Sequence, residues 1–200
     1  MRQFALDISP PPQPTLDNFV AGANAELVAR LRELAPGNYP ECILYLWGEA
    51  GSGKSHLLRA CERPGIHVVD DVEALDEERQ IQLFNRINEA RQSGEIVLAA
   101  GDAPPARLAL REDLRTRLAW GLVYQVKTLS DTERAVFLRA EAERRGMRLA
   151  DEVIGYLLSR VRRDLPSLAA ILEQLDRASL ERQRPITLAL VRETLKGPEE

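Results

Sequence analysis

The sequence is poor in the residues that mark secreted or membrane proteins. It has only two cysteines among 200 residues, Cys42 and Cys61. Two cysteines cannot build a disulfide framework, so we expect buried, reduced thiols. The chain has no apolar run of about 18 residues, which excludes a membrane-spanning helix. Its first residues lack the apolar core of a signal peptide. We therefore expect a cytoplasmic protein.

Basic residues and histidines are also scarce. The 27 Lys and Arg residues are outnumbered by 31 Asp and Glu residues, which argues against a stand-alone nucleic-acid binder. The two histidines, His56 and His67, are too few for a metal site. We expect His56 beside the loop described next and His67 as a hydrogen-bonded strand residue. The hydrophobic content of 44% is sufficient for a core.

A glycine-rich segment follows the apolar run at residues 42–47 and precedes a helical pattern. Its characteristic residues are Gly48, Gly51, Ser52, Gly53, Lys54 and Ser55. A strand, a glycine-rich turn and a helix in this order indicate a phosphate-binding P-loop. Glycines let backbone N–H groups converge on an anion, Lys54 suits the β- and γ-phosphates, and Ser55 suits Mg²⁺.

Strands and helices alternate through the first two thirds of the chain. The predicted strands are residues 42–47, 66–71, 95–100 and 122–126, with helical patterns between them. This alternation predicts an α/β fold, a parallel sheet covered by helices on both faces. Four helices without strands follow Lys127 and predict a small four-helix lid. We expect domains at residues 15–128 and 129–200, preceded by a peptide and proline-rich connector at residues 1–14.

Residues 1–14 combine apolar side chains with a proline cluster. A short apolar peptide held off a domain by a stiff spacer suits docking to a partner groove. An edge strand or a frayed terminus would give the same pattern, so both alternatives stay open.

Three groups of charged residues could carry chemistry. Asp70 and Asp71 end a strand, where Asp70 would bind Mg²⁺ and Asp71 would orient a water, rather than only capping the next helix. Asp102 follows the third strand and would sense a γ-phosphate, although a turn role fits equally well. Arg115 and Arg117 could reach a neighbouring subunit's nucleotide or could lie on a solvated helix face.

Four segments together resemble the AAA+ module of the DnaA/Hda family of bacterial replication proteins. They are residues 15–20, 51–58, 69–71 and 117–122. The resemblance extends from about residue 15 to about residue 195 and implies a P-loop AAA+ sheet with a helical lid. Residues 3–8 are similar to the peptide by which the Hda branch docks on the DNA polymerase sliding clamp, and residues 174–179 also resemble that branch. The chain ends after the lid, so we expect no DNA-binding domain.

The resemblance implies a negative regulator of chromosomal replication initiation. Such an adaptor holds ADP or ATP with Mg²⁺, docks on the clamp, contacts DNA only through it, and stimulates ATP hydrolysis by DnaA. Arg117 would be the arginine finger and Asp71 the second catalytic residue. The implied nucleotide-binding residues are Gly48, Gly51, Ser52, Gly53, Lys54, Ser55, His56, Asn18, Phe19 and Asp102. Ser55 and Asp70 would bind the metal; Gln3, Phe4, Leu6 and Ile8 would bind the clamp.

Two departures from the family pattern modify these expectations. Lys54 and Asp70 are only 16 positions apart, which implies a sheet lacking one edge strand. The lid arginine that contacts bound phosphates would fall at Pro166, which offers no cation. We therefore expect weak intrinsic ATPase activity, with hydrolysis stimulated mainly in the partner. A stand-alone ATPase of helicase-loader type and a DnaA-like localisation factor that uses nucleotide structurally remain alternatives.

Overall fold

The computed structural model describes residues 13–37, 41–162 and 164–196. These residues form two compact units, one ending at Thr128 and the other beginning at Leu129. None of the helices in the described ranges combines the length and the apolar character needed to cross a membrane.

The first unit is built on a parallel sheet that has four strands within the described ranges. They are β1 (Ile43–Trp47), β2 (Ile66–Val69), β3 (Ile96–Gly101) and β4 (Leu122–Gln125). Their order across the sheet is β2-β3-β1-β4, so β1 pairs with β3 on one side and β4 on the other. Strand β2, which Asp70 and Asp71 follow, lies at one edge of this four-stranded order.

Helices cover both faces of this sheet. They are α1 (Ala25–Glu33), α2 (Lys54–Cys61), α3 (Glu77–Ser93) and α4 (Glu112–Trp120). Alternate residues of β1 point to opposite faces: Leu44 packs with α1 and α2, whereas Tyr45 packs with α3 and α4. The predicted parallel sheet with helices on both faces is confirmed.

The second unit contains four helices in its described residues. They are α5 (Asp131–Arg144), α6 (Asp151–Arg160), α7 (Leu165–Arg182) and α8 (Leu188–Lys196). Their apolar side chains form one core, with fully buried leucines such as Leu138, Leu157 and Leu172. Burying a leucine side chain contributes about 1.5–3 kcal/mol to stability. The apolar residues on one face of each lid helix therefore stabilise the unit by packing into this core. The predicted four-helix lid is confirmed.

Several local predictions need correction. The apolar pattern after the P-loop predicts a helix over residues 56–61, but the helix begins at Lys54, because the positive φ of Gly53 (+101°) turns the chain directly into it. The apolar pattern predicts a helix over residues 110–118, whereas α4 lies two residues later. Cys61 is buried, and burial raises the pKa of its thiol to about 11, but Cys42 is only half-buried.

Candidate functional site

The P-loop connects the carboxyl end of β1 to the amino end of α2. A Cβ atom on Gly48 would lie 2.4 Å from the Val126 carbonyl oxygen, and one on Gly53 would lie 2.7 Å from the Phe19 ring. Neither position can accept a side chain without displacing its neighbour. The loop backbone thus packs closely against Val126 and Phe19. Its N–H groups lie at the start of helix α2, where anions bind favourably.

Two polar side chains of the loop are buried and suited to a polyphosphate. Lys54 is 9% exposed, and its Nζ donates hydrogen bonds to the carbonyl oxygens of Gly48 (2.7 Å) and Glu49 (3.2 Å). The Ser52 Oγ is buried and has no hydrogen-bond partner among the described residues. A buried hydroxyl without a partner costs about 1–3 kcal/mol, which phosphate oxygens would recover. The residues present therefore fit a nucleotide's phosphates.

The predicted acidic residues lie at the carboxyl ends of the strands, as the P-loop does. Asp70 and Asp71 follow β2, and Asp102 follows β3, whose Gly101 pairs with Trp47 of β1. Asp71 has a positive φ of 47°, and its N–H donates to Asp70 Oδ1 at 3.0 Å. Asp71 and Asp102 are exposed, as is the second residue of α2, Ser55. A carboxylate and a hydroxyl at the carboxyl ends of these strands are suitable ligands for Mg²⁺.

Two residues that the sequence analysis did not single out hold the loop after β3. The Tyr45 hydroxyl donates to the Ala103 carbonyl oxygen at 2.8 Å, and Glu73 Oε2 accepts from the Asp102 N–H at 3.3 Å. Burial raises the pKa of the Tyr45 phenol, and the charges of Glu73 and Asp102 raise it further. A tyrosine inside an apolar strand was the available signal, because a buried hydroxyl needs a partner.

The segment before α1 reaches the P-loop through Phe19. Its ring lies 5.5 Å from the His56 ring, and His56 Nε2 is 2.9 Å from the Thr15 carbonyl oxygen. The Asn18 side chain instead bonds locally, accepting from the Thr15 N–H at 2.9 Å. The structure thus brings Phe19 and His56 to the P-loop, whereas the Asn18 amide is engaged in its own turn. As predicted, His67 is hydrogen-bonded, to Glu95 at 3.1 Å.

The arginine candidates lie on α4, away from the P-loop. A Cβ atom on Gly121, just after α4, would be 2.0 Å from the carbonyl oxygen of Ile43 at the start of β1. Arg117 also lines a cavity of about 440 Å³ with Ile43 and Glu95, residues at the amino ends of β1 and β3. The P-loop follows the carboxyl end of β1. The structure therefore places Arg117 and the P-loop at opposite ends of the strands: Arg117 lies near the amino ends of β1 and β3, and the P-loop lies at the carboxyl end of β1.

The residues predicted to bind the clamp, Gln3, Phe4, Leu6 and Ile8, lie outside the described residues. Pro166 lies in the first turn of α7, after Asp164, whose side chain caps the helix by accepting from the Ser167 N–H at 2.9 Å. Proline is compatible with this first turn because no intrahelical N–H is needed there.

Comparisons with known proteins show what this chain is similar to. Residues 131–195 match the family described as "Hda, lid domain". An uncharacterized protein of Haemophilus influenzae is 31% identical to this chain, over 97% of this chain and 98% of its own length.

Solved structures of replication initiators share the fold. Domain III of the Thermotoga maritima DnaA is 22% identical with a TM-score of 0.76, covering 94% of this chain and 98% of that chain. A DnaA bound to AMPPCP and single-stranded DNA is 20% identical with a TM-score of 0.72, covering 86% of this chain and 68% of that chain. These likenesses confirm the predicted AAA+ fold.

Proposed function

Because this chain belongs to the Hda/DnaA-related family of AAA+ proteins, we propose that it restrains chromosome replication by stimulating ATP hydrolysis in the initiator DnaA. The Hda lid and the AAA+ fold support a DnaA-related regulator. In this proposal the partners are DnaA and the DNA polymerase sliding clamp, and DNA is contacted only through the clamp.

In this proposal the P-loop holds ADP or ATP as a stable ligand. The support comes from Lys54 and Ser52, two buried groups that can donate hydrogen bonds to phosphate oxygens. Phosphate oxygens would take the place of the Gly48 and Glu49 carbonyls around Lys54. Ser55 and Asp70 would hold Mg²⁺, and Asp71 would orient water near the phosphates.

The position of Arg117 is the observation that carries the proposal of action in trans. It lies near the amino ends of β1 and β3, and the chain's own P-loop follows the carboxyl end of β1. A strand of this length spans roughly 16 Å at about 3.3 Å per residue, more than an arginine side chain can reach. Any phosphate that Arg117 contacts would therefore belong to another molecule, and in this family the candidate is the ATP held by DnaA.

Reconstitution tests the proposal directly. DnaA-ATP, the clamp and primed DNA are mixed with or without this protein, and phosphate release is followed. We expect the wild type to speed release and Arg117→Ala to return it to the unstimulated rate, because a finger can contribute about 10³–10⁵ in rate. Arg79→Ala, which removes an exposed arginine paired with Asp76, is the matched control and should stimulate normally.

The same assay decides between the two arginines and between the alternatives. Loss of stimulation in Arg115→Ala, but not in Arg117→Ala, would move the finger to Arg115. A wild type that hydrolyses ATP rapidly by itself and leaves DnaA unaffected would favour a stand-alone ATPase. A wild type that binds nucleotide but changes neither rate would favour a localisation factor.

Clamp docking is tested with the full chain. We propose that residues 1–14 hold the protein on the clamp through Gln3, Phe4, Leu6 and Ile8. Gln3→Ala and Leu6→Ala should each weaken capture by immobilised clamp, whereas Arg117→Ala should bind as the wild type does. Unchanged capture by both N-terminal variants would contradict this part of the proposal.

A further inference from the structure

Arg117 is held by aromatic rings rather than by carboxylates. Its guanidinium carbon lies 3.7 Å from the centroid of the Trp120 ring and 5.2 Å from that of Phe84. Trp120 lies one turn later on α4, and Phe84 projects from α3. The indole is 54% exposed, so the stack lies at the surface of the unit. A cation over an indole face is favourable, and tryptophan is the best of the aromatic partners.

Several other arginines of the described residues donate their N–H groups to carboxylates in ion pairs. Arg111 donates to both carboxylate oxygens of Asp113 at 3.2 and 2.9 Å, and Arg134 donates to Asp131 at 2.7 Å. Among the described residues, no carboxylate lies within ion-pair distance of Arg117. Its Nε is buried and has no hydrogen-bond partner within the described part of the chain.

This difference matters for an arginine that must meet a phosphate. Stacking occupies the faces of the planar guanidinium and leaves the terminal Nη–H donors at its edge available, whereas the Nε–H is buried. An arginine held by a carboxylate would have to break a charge-assisted hydrogen bond before it could bind another anion. The stack therefore orders the side chain without consuming the donors that a phosphate needs.

The surroundings leave room for such an approach. Arg117 and Trp120 line the cavity of about 440 Å³ near the amino ends of β1 and β3. A second arginine, Arg91 at the end of α3, lies 5.6 Å from the centroid of the same indole. The lining also includes the carboxylates of Glu41 and Glu95, so the cavity offers space beside the stack and two guanidinium groups, but no net positive charge.

We propose that Trp120 is a positioning residue for Arg117: the indole face orients the guanidinium so that its free N–H edge meets the phosphates of the partner's nucleotide. This inference rests on the proposed function in trans. It also favours Arg117 over Arg115 as the finger, because none of the described aromatic rings stacks on Arg115.

The stack itself can be measured in the isolated protein. In ¹H–¹⁵N spectra of the full chain, the Arg117 Nε–Hε signal should be shifted upfield by the ring current of the indole. Arg117→Lys identifies this signal, and Trp120→Ala should move it to the position of an exposed arginine. An Hε signal that is unshifted in the wild type, or unmoved in Trp120→Ala, would overturn the proposal whether or not the protein acts on DnaA.

The effect of the Arg117–Trp120 stack on stimulation is measured by phosphate release from DnaA-ATP at increasing concentrations of this protein. We expect Trp120→Ala to lower the saturated rate about three- to thirtyfold, the range of a cation–π contact, while Trp120→Phe keeps most of it. Trp120→Leu, which is apolar but lacks a π face, should behave like Trp120→Ala. Ile81→Ala removes an exposed apolar side chain from α3 and should act as the wild type.

The outcomes separate the two proposals. A raised half-saturating concentration with an unchanged saturated rate would make Trp120 a partner contact and overturn its positioning role. A wild-type saturated rate in Trp120→Ala would overturn it as well. A wild type that does not stimulate DnaA, despite a shifted Arg117 signal, would contradict the proposed function and with it the role assigned to the stack.

Discussion

Gly121 joins α4 to β4 at a point where the backbone of β1 leaves no space. A Cβ atom there would lie 2.0 Å from the Ile43 carbonyl oxygen, which is part of the sheet and cannot move freely. We expect Gly121→Ala to lower the free energy of unfolding by about 1–3 kcal/mol, the usual cost of overpacking. Urea unfolding followed by circular dichroism measures this loss.

Gly155 in α6 provides the matched control. A Cβ atom at this helix position meets no atom within 4 Å. Because alanine is the better helix former, Gly155→Ala should raise stability by about 0.5–1 kcal/mol. If both alanine variants were destabilised equally, the close approach at Gly121 would not be the cause.

At the residue scale, the sequence predicted what depends on neighbours along the chain. The P-loop was recognisable because its residues are consecutive. The contacts of Tyr45 and Glu73 with the loop after β3 were not, since they join separate elements. The Arg117–Trp120 pair lay within one helical turn, yet its geometry depends on how α4 packs against Phe84 of α3.

The lid helix α5 begins with a reciprocal pair of hydrogen bonds. The Ser130 Oγ accepts from the Glu133 N–H at 3.2 Å, and the Glu133 carboxylate accepts from the Ser130 N–H at 2.7 Å. Loss of such a cap costs about 0.5–2 kcal/mol, so Ser130→Ala should destabilise the lid by that amount. Thermal unfolding followed by circular dichroism reports the change. Ser159→Ala, at an exposed site on α6, should have a smaller effect.

The carboxylates of α5 make the lid sensitive to acid. Hydrogen bonds from Ser130 lower the pKa of Glu133, and the Arg144 guanidinium lowers the pKa of Glu141. A carboxyl group whose pKa is lower in the folded than in the unfolded state stabilises the fold at pH values above its unfolded-state pKa, which is about 4.3 for glutamate. This stabilisation is lost as the pH falls through the folded-state pKa. The wild type should therefore be more stable than Glu141→Gln at pH 6. In urea titrations the difference should narrow steadily as the pH falls below about 4.3; a constant difference would contradict this.

At the element scale, periodicity located every strand and lid helix within a few residues, but it could not give the order of the strands. That order is set by which apolar faces pack together. The leucines of β1 and β3 pack with α1 and α2, whereas Tyr45, Val97 and Ala99 pack with α3 and α4. The short spacing between Lys54 and Asp70, set against the family pattern, predicted only that the sheet lacks one edge strand.

At the scale of the whole molecule, the prediction of weak intrinsic ATPase activity depends on one lid residue. The family pattern places a lid arginine where this chain has Pro166, which is exposed in the first turn of α7. We therefore predict slow single-turnover hydrolysis by the isolated protein and a faster rate in Pro166→Arg, because an arginine–phosphate hydrogen bond is strong. Pro166→Ala, which removes the ring without adding a cation, should stay slow. A wild-type rate typical of an active AAA+ ATPase would contradict the prediction.

A protein that holds nucleotide without consuming it should be stabilised by that nucleotide. Ligand that binds only the folded state adds RT ln(1 + [L]/Kd), about 2.7 kcal/mol at a hundredfold excess over Kd. We expect ADP with Mg²⁺ to raise the thermal midpoint in a concentration-dependent way, and Lys54→Ala to remove most of this shift. Lys127→Ala is the matched control, because the Asn24 side chain bonds only the backbone of Lys127. A midpoint that rises equally in Lys54→Ala would place the nucleotide elsewhere than in the P-loop.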